Sequence, residues 1–300
     1  MKLLVTGAFR CSDNQLEYIK SLGHEIVFMQ NESDSLPCDY LDIEGVICNG
    51  LFLYHHIKKF SNLKYIQLTS AGYDRVPLDY VKEKGIKVFN ARGVYSVPMA
   101  EYALFGVLSL YKHGKFFYKN QEEKRYEKNR SLIELFGKTV CVVGAGNVGT
   151  ECAKRFKAFG TKVLGVDLFV REDDAFDKIY PLSSLDEVLK ISDVVVLTLP
   201  LDKNTENLFN ENRFNVMKQG CVFVNIARGK IVDETALIRA LDNKLFGAVI
   251  DVTVNEPLPS DSELWEKENV ILTPHNSFVG DGNNQRLFDL IISNLKGELK

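Results

Sequence analysis

Hydrophobic and polar positions follow two alternating patterns along most of the chain. Short apolar runs rich in β-branched residues predict buried strands, and the longer amphipathic stretches between them predict helices. This alternation is typical of the βαβ units that build parallel sheets. We therefore predict an α/β protein with two domains, each a mostly parallel sheet flanked by helices.

The first part of the chain predicts one complete small open sheet. Helical segments such as 12–22 and 78–84 lie between most of its strands. The predicted strands are Leu3–Thr6, Glu25–Met29, Gly45–Cys48, Tyr65–Leu68 and Lys87–Phe89.

The strand pattern then stops between Pro98 and about Glu127. This stretch predicts one long helix, apolar in its first half and charged towards its end. A helix of that length suits a connector between domains or a contact with a second subunit, and packing on its own domain is an equal alternative.

A second sheet begins at Lys138. A last helix, from Asn283 to about Leu299, has no strand after it. The predicted strands are Thr139–Val143, Lys162–Val166, Val194–Thr198, Val222–Ile226, Ala248–Val252 and Val270–Leu272.

Charge and composition exclude several classes of protein. The 37 basic and 40 acidic residues nearly balance, whereas a nucleic-acid partner favours a strong basic bias.

The apolar runs are far shorter than a membrane span, and the opening MKLLVTG indicates a strand rather than a signal peptide. The 6 cysteines form no C-x-x-C pair, and three of them lie in strand-like runs. We expect a cytoplasmic protein without nucleic-acid, membrane or metal partners.

The strongest chemical signal is the sequence GAGNVG between a strand and a helix. Gly144 permits the tight turn, Gly146 lets the backbone approach a pyrophosphate, and Gly149 lets the helix pack close to the sheet. The amides around Asn147 and Val148 would hold the phosphate, helped by the helix dipole. The segment therefore predicts a dinucleotide site, although the same motif alone can be a plain tight turn.

An acidic residue at the end of the next strand favours NAD as the cofactor. The carboxylate of Asp167 can accept both adenosine ribose hydroxyls and would repel a 2′-phosphate. Arg171 lies close enough in sequence to keep NADP open.

Several blocks of the chain resemble the D-isomer-specific 2-hydroxyacid dehydrogenase family. They are FGKTVCVVGAGNVG, VLTLPLDKNTENLF, VNIARGKIVDETAL, GAVIDVTVNEPLP and LWEKENVILTPHNS, with LTSAGYDRV and NARGVYSVPMAEYAL in the first half. The resemblance covers nearly the whole chain. It implies an oxidoreductase that transfers a hydride between NAD(H) and a small 2-hydroxy or 2-oxo acid.

The resemblance also implies a domain organisation. A flavodoxin-like substrate-binding domain would comprise residues 1–97 and 277–300, and a Rossmann NAD-binding domain would comprise residues 98–276. A homodimer is expected from the family.

The family's catalytic residues fall here on Arg228, Glu256 and His275. His275 is the only histidine at a predicted strand end beside a proline, and an imidazole can give and take a proton near neutral pH. Glu256 would hold the other ring nitrogen, although a solvated loop acid is the alternative. Arg228 directly follows a strand, where its guanidinium could bind a substrate carboxylate with two hydrogen bonds.

The resemblance assigns further residues to the cofactor. Asp251 would contact the nicotinamide carboxamide, with a simple loop cap as the alternative reading. The nicotinamide ring would lie over Ile226 and Ala227, and the adenine side would be bordered by Leu199, Pro200 and Thr205.

The first domain supplies two predictions about the substrate. Backbone amides of Ala71 and Gly72 could bind the substrate carboxylate in a small anion nest, or the segment could be an ordinary turn. Family members with phosphorylated substrates usually carry basic residues after the third strand, where this chain reads CNGLF. This favours an unphosphorylated acid, although Arg75 or the histidines at 55–56 could supply charge.

Three other functions stay open at this point. A non-catalytic dinucleotide-sensing scaffold shares this fold, since a fold does not fix a function. A phosphoglycerate dehydrogenase-like enzyme, or a dehydrogenase for formate or phosphite, would also fit the architecture.

Overall fold

The computed structural model describes residues 1–297, and these fall into two compact units. One unit comprises Met1–Tyr95 and the chain from Gly280 onwards, and the other comprises Ser96–Val279. The predicted borders lie at 97/98 and 276/277. The predicted end of the last helix at Leu299, and residues 298–300 of the predicted first domain, lie outside the described residues.

The first unit contains a parallel five-stranded sheet in the order β2-β1-β3-β4-β5. All five predicted strands are confirmed, and β1 begins one residue earlier than predicted. The strands are β1 Lys2–Thr6, β2 Glu25–Met29, β3 Gly45–Cys48, β4 Tyr65–Leu68 and β5 Lys87–Phe89. The chain order reverses where β1 lies beside both β2 and β3. In open α/β sheets this switch point is where ligands bind, at the carboxyl ends of the strands.

Two helices connect strands of this sheet, α1 over Asp13–Ser21 and α2 over Leu78–Lys84. A capping box begins α1. The Ser12 side chain accepts a hydrogen bond from the Gln15 amide, and the Gln15 side chain accepts one from the Ser12 amide. The box satisfies backbone donors that the first turn of a helix otherwise leaves free.

The second unit contains a parallel seven-stranded sheet in the order β12-β11-β10-β9-β6-β7-β8. Its central strands are fully buried, which explains their continuous apolar sequences. The strands are β6 Thr139–Val143, β7 Lys162–Asp167, β8 Lys178–Pro181, β9 Val194–Leu197, β10 Cys221–Asn225, β11 Leu245–Ile250 and β12 Val270–Leu272. The sequence did not predict β8, an edge strand that pairs only with β7.

The prediction of one helix from Pro98 to Glu127 is wrong. The backbone of His113 adopts the left-handed conformation with φ of 50°, which ends one helix, and the next begins at Gly114. The helices of this unit are α3 Ser96–Tyr111, α4 Gly114–Glu122, α5 Asn147–Ala158, α6 Leu185–Ile191, α7 Glu211–Val216 and α8 Glu234–Asn243.

Helix α3 packs on the sheet of its own unit. Ala100, Ala103 and Val107 are buried in one apolar cluster together with residues of β6, β9, β10 and β11. A Cβ on Gly106 would lie 2.6 Å from Val249, so a glycine lets the helix approach β11 closely. These contacts support the alternative that the first half of the stretch serves its own domain.

The last helix, α9 over Asn283–Lys296, returns to the first unit. Its Leu287 and Ile291 are buried with Leu3 and Val5 of β1. This packing explains why a helix without a following strand is needed there. Within residues 1–297, no helix combines the length and apolar character that a membrane crossing requires.

Candidate active site

Three adjacent strands of the second sheet end at the same level. Asn225 of β10, Ile250 of β11 and Leu272 of β12 are paired across the sheet, and the strands are parallel. The turns after β10 and β12 carry Arg228 and His275. Both residues therefore leave the carboxyl edge of the sheet, where α/β proteins bind their ligands.

The structure brings His275 and Glu256 together. Nδ1 of His275 lies 2.8 Å from Oε2 of Glu256, and the other carboxylate oxygen accepts a hydrogen bond from the Thr253 amide at 3.3 Å. The two side chains are 40% and 41% exposed. A carboxylate on Nδ1 keeps a proton there, so Nε2 is the nitrogen that can exchange a proton with a ligand.

The buried carboxylate of Asp251 shapes the turn that carries His275. Its Oδ1 accepts hydrogen bonds from the Thr273 hydroxyl at 2.7 Å and the Asn276 amide at 2.8 Å, and both oxygens lie 3.1 Å from the Ser277 amide. The Asp251 carbonyl accepts from the His275 amide at 2.7 Å. These contacts support the loop-cap reading of Asp251, and its contact with a nicotinamide stays a prediction.

A tyrosine of α3 extends this network. The hydroxyl oxygens of Tyr102 and Thr273 lie 2.7 Å apart, and Thr273 in turn donates to Asp251. Burial raises the pKa of the Tyr102 phenol above its ordinary value. Sequence reasoning did not identify Tyr102 or Thr273, because the contact joins segments far apart in the chain.

The turn that carries Arg228 depends on Asn225 and Gly229. Asn225 is buried, its amide group donates to the Arg228 carbonyl at 3.1 Å, and it accepts from the Ala227 amide at 3.1 Å. A Cβ on Gly229 would lie 2.0 Å from the Thr253 backbone. The exposed Arg228 guanidinium donates to the Ala227 carbonyl at 2.7 Å and, within residues 1–297, forms no ion pair. The structure thus joins His275 to Glu256 but shows no contact of Arg228 with either.

The glycine loop after β6 has the geometry that a dinucleotide phosphate requires. Gly144 has φ of 100°, and a Cβ there would lie 2.8 Å from the backbone after β9. A Cβ on Gly149 would lie 1.9 Å from the Gly144 carbonyl oxygen, whereas nothing lies within 4 Å of that position on Gly146. Asn147 and Val148 form the first turn of α5. The open space at Gly146, in front of a helix start, fits a bound pyrophosphate.

Asp167 lies against this loop, with an arginine beside it. Its Oδ2 accepts from the Ala145 amide at 2.6 Å, and its Oδ1 accepts from the Phe169 amide at 3.0 Å. Arg171 donates to the Ala145 carbonyl and forms an ion pair with Asp173 at 3.3 Å. Asp167, which was predicted to select NAD, and Arg171, which left NADP as an alternative, therefore both contact Ala145.

The remaining residues assigned to the cofactor are mostly buried, and one of them stabilises a loop. The buried Thr205 hydroxyl donates to the Pro200 carbonyl at 2.8 Å and so closes the loop after β9. Leu199 is buried beside the glycine loop, and Pro200 is exposed. Ile226 and Ala227 are 1% and 5% exposed. Their contacts with a nicotinamide or adenine ring stay predictions.

The predicted anion nest lies after β4 in the first unit. Ala71 is exposed, Gly72 is half-buried, and the Asn90 side chain donates to the Ala71 carbonyl at 2.6 Å. A Cβ on Gly72 would lie 2.7 Å from Oδ2 of Asp74. This neighbouring carboxylate opposes anion binding, so the nest stays a prediction.

The fold and the glycine loop define a dinucleotide-binding protein, and the comparison with known families identifies which kind. Residues 104–277 match the family model described as "D-isomer specific 2-hydroxyacid dehydrogenase, NAD binding domain". The chain belongs to the D-isomer specific 2-hydroxyacid dehydrogenase family. This result confirms the predicted family, the α/β fold class and an NAD-type cofactor.

Individual relatives cover this chain to different extents. D-3-phosphoglycerate dehydrogenase of Archaeoglobus fulgidus is 37% identical over 280 residues, which are 92% of this chain but 53% of that protein. Hydroxypyruvate reductase of Blautia hydrogenotrophica is 28% identical over 314 residues, covering 100% of this chain and 97% of that protein. The crystal structure of D-lactate dehydrogenase from Aquifex aeolicus, complexed with NAD and lactic acid, has a TM-score of 0.76 and 28% identity, covering 99% of this chain and 96% of that one. The chain thus spans about half of the length of the phosphoglycerate dehydrogenase.

Proposed function

We propose that this protein is an NAD-dependent oxidoreductase that transfers a hydride between NAD(H) and a small unphosphorylated 2-hydroxy or 2-oxo acid. The observation that carries the proposal is the 2.8 Å contact between His275 and Glu256. Glu256 follows β11 and His275 follows β12, and both strands belong to the parallel sheet in which β6 leads through the glycine loop into α5. The whole-length similarity to a hydroxypyruvate reductase supports this class of substrate.

The residues around the glycine loop would hold the cofactor. The open backbone at Gly146 and the amides of Asn147 and Val148 would bind its pyrophosphate, and Asp167 would accept its ribose hydroxyls. Bound NAD(H) supplies or accepts the hydride. The protein then has to supply a proton and to bind the substrate's carboxylate.

His275 would exchange the proton and Glu256 would hold it in position. When a 2-oxo acid is reduced, negative charge develops on its carbonyl oxygen, and a protonated imidazole beside that oxygen donates the proton. Nδ1 of His275 is engaged by Glu256, so Nε2 is the donor. The carboxylate also stabilises the positive ring before the transfer. In the oxidation direction the neutral ring accepts the proton back.

Arg228 would bind the substrate's carboxylate. Its guanidinium is exposed and held by one hydrogen bond to the Ala227 carbonyl, so a carboxylate can replace that contact with two parallel hydrogen bonds. A lysine keeps the charge but loses the planar pair of donors. We therefore expect Arg228→Lys to lower kcat/KM strongly, and unchanged activity would contradict this role.

We also propose a homodimer in the cytoplasm. Support for self-association comes from exposed aromatic side chains on and after α4, with Tyr118 65% and Tyr126 100% exposed. All six cysteines are free, which suits a reducing compartment. Light scattering coupled to size exclusion should give twice the mass of 34.0 kDa, and a monomer would contradict the proposal.

The decisive experiment is NADH consumption against glyoxylate, pyruvate and hydroxypyruvate, with NADPH in parallel. We expect turnover with NADH, and a loss of about 100-fold or more in His275→Ala, as is usual when a positioned acid is removed. Cofactor binding without turnover on any acid would instead favour a dinucleotide-sensing scaffold.

A further inference from the structure

A carboxylate of the chain itself occupies the switch point of the first sheet. Glu32 lies in the loop after β2, and its side chain reaches the ends of β1 and β3. The order β2-β1-β3-β4-β5 makes this the position where open α/β sheets bind ligands.

The Glu32 carboxylate uses the donors that an anionic ligand would need. Its Oε1 accepts from the buried Thr6 hydroxyl at 2.8 Å and from the Asn49 amide at 2.7 Å. Its Oε2 accepts from the Gly50 amide at 2.6 Å. Two successive backbone amides after a strand form an anion-binding concavity, and here it is already filled.

The hydrogen-bond donors to this carboxylate are all neutral. Within residues 1–297, no lysine or arginine nitrogen forms an ion pair with Glu32. Arg75 passes nearby, with its Cδ 3.6 Å from the position of a Cβ on Gly50, but its exposed guanidinium makes no such pair. The half-buried carboxylate therefore carries its negative charge at the switch point without a direct ion pair.

We propose that Glu32 is a specificity-determining residue that excludes 2-oxo acids with a second anionic group, above all a phosphate on C3. The inference rests on the proposed function, because it assumes that this unit receives the substrate. Glu32 thereby selects acids whose C3 carries hydrogen or a hydroxyl group. A phosphate ester would meet a like charge and would find the amides of Asn49 and Gly50 already in use.

Coulomb repulsion gives the size of the effect. Two unit charges about 5 Å apart change binding by about fourfold in water and by about 300-fold at an effective dielectric constant of about 20. Glu32 is half-buried, so we expect about a 10-fold contribution.

The test compares hydroxypyruvate with its phosphate ester, 3-phosphohydroxypyruvate, which differ only in the group in question. The ratio of kcat/KM for hydroxypyruvate to kcat/KM for the ester should fall about 10-fold or more in Glu32→Gln. The fall should come mainly from a lower KM for the ester. Glu32→Ala provides a second neutral variant should Gln destabilise the fold. Glu32→Asp retains the charge and should keep the wild-type ratio, which a purely structural role would not predict.

Glu44 offers a matched control. Like Glu32, Glu44 is half-buried and accepts a hydrogen bond from a backbone amide, that of Lys2, at 3.2 Å. Unlike Glu32, it lies at the amino ends of the strands of this sheet, and its carboxylate also pairs with Lys64 at 2.8 Å. Glu44→Gln should leave the ratio unchanged. A wild-type preference for the ester, or an unchanged ratio in both neutral Glu32 variants, would overturn the inference.

A binding measurement separates this inference from the proposed function. Titration calorimetry with 3-phosphoglycerate needs no turnover, and its affinity should rise about 10-fold in Glu32→Gln. Equal affinities for wild type and variant would overturn the role of Glu32. A lack of turnover on both acids, with the calorimetric difference present, would overturn the proposed reaction while leaving the ligand selectivity standing.

Discussion

Replacing Asp251 by Asn tests whether this residue holds the turn of His275 or contacts the cofactor. The Asp251 carboxylate is 1% exposed, and its hydrogen-bond partners named above are all donors. Both of its oxygens lie 3.1 Å from the Ser277 amide. In the Asp251→Asn variant one of these oxygens is replaced by an NH2 group, so a buried donor must face another donor whichever way the amide turns.

The cost follows from this count of donors. A buried donor left without an acceptor costs about 1–3 kcal/mol, and hydrogen bonds from Thr273 and Asn276 that lose a charged acceptor weaken by about 1 kcal/mol more. We therefore expect Asp251→Asn to lower the free energy of unfolding by about 2–4 kcal/mol. For a domain of this size that corresponds to a Tm lower by roughly 4–16 °C.

The assay is thermal unfolding of the protein without NADH, combined with NADH binding and steady-state kinetics. We expect a lower Tm without cofactor and a reduced kcat, because the turn that carries His275 is displaced. Thr273→Val removes one neutral donor and should cost about 1 kcal/mol. An unchanged Tm together with weaker NADH binding would refute this reasoning and support a nicotinamide contact instead.

Three further predictions concern other carboxylates. Glu256→Gln should lower kcat about 10–100-fold with little change in KM, and an unchanged kcat in steady-state assays would contradict its role. Asp167→Ser should raise the NADPH to NADH ratio of kcat/KM about 10-fold, since it removes the repulsive charge and leaves Arg171 for the 2′-phosphate; a constant ratio would argue against both assignments. Burial alone would raise the pKa of Asp193, but hydrogen bonds from Lys218 and a backbone amide lower it overall. The stabilisation by Asp193 is therefore present above the unfolded pKa of about 4 and disappears as the pH falls through the lower folded pKa. Asp193→Asn should be about 1 kcal/mol less stable than the wild type at pH 7. In urea unfolding at about pH 3, the stability of the variant should approach that of the wild type.

Most strands could be predicted because the inner strands of both sheets are buried. In a parallel sheet covered on both faces, each strand reads as a continuous apolar run, as in β9 and β10. The exception shows the limit of this signal. In β8 only Ile179 is buried, its sequence KIYP ends in proline, and it lies at the sheet edge. Such a short segment carries no pattern that distinguishes it from a loop.

The break between α3 and α4 is a second limit, of a different origin. The sequence YKHGK contains a glycine that lowers helix propensity, but a single glycine inside a helical pattern is often tolerated. The left-handed backbone of His113 ends the helix there. Its ring lies 5.9 Å from that of Phe246, a contact across the tertiary structure that local propensity does not encode.

Positions in the candidate site could be predicted where a local motif or the family resemblance marks them. The glycine loop and the strand-end positions of Arg228 and His275 follow from the sequence, and Glu256 follows from the family resemblance. Asn225 and Glu32 were missed, because each acts through backbone amides or carbonyls that come close only after folding. A buried polar residue at a strand end, as in CVFVN, is the signal that could have found Asn225.

The surroundings of each carboxylate decide which measurement its removal will change. Asp251 is almost fully buried among donors, so losing its charge must appear in stability. Glu256 is 41% exposed and pairs with one imidazole, and exposed ion pairs contribute about 0–1 kcal/mol to folding. Its neutral variant should therefore unfold almost as the wild type does and differ in rate. Glu32 is half-buried with no cation as partner within residues 1–297, so its loss should appear first in the choice between substrates.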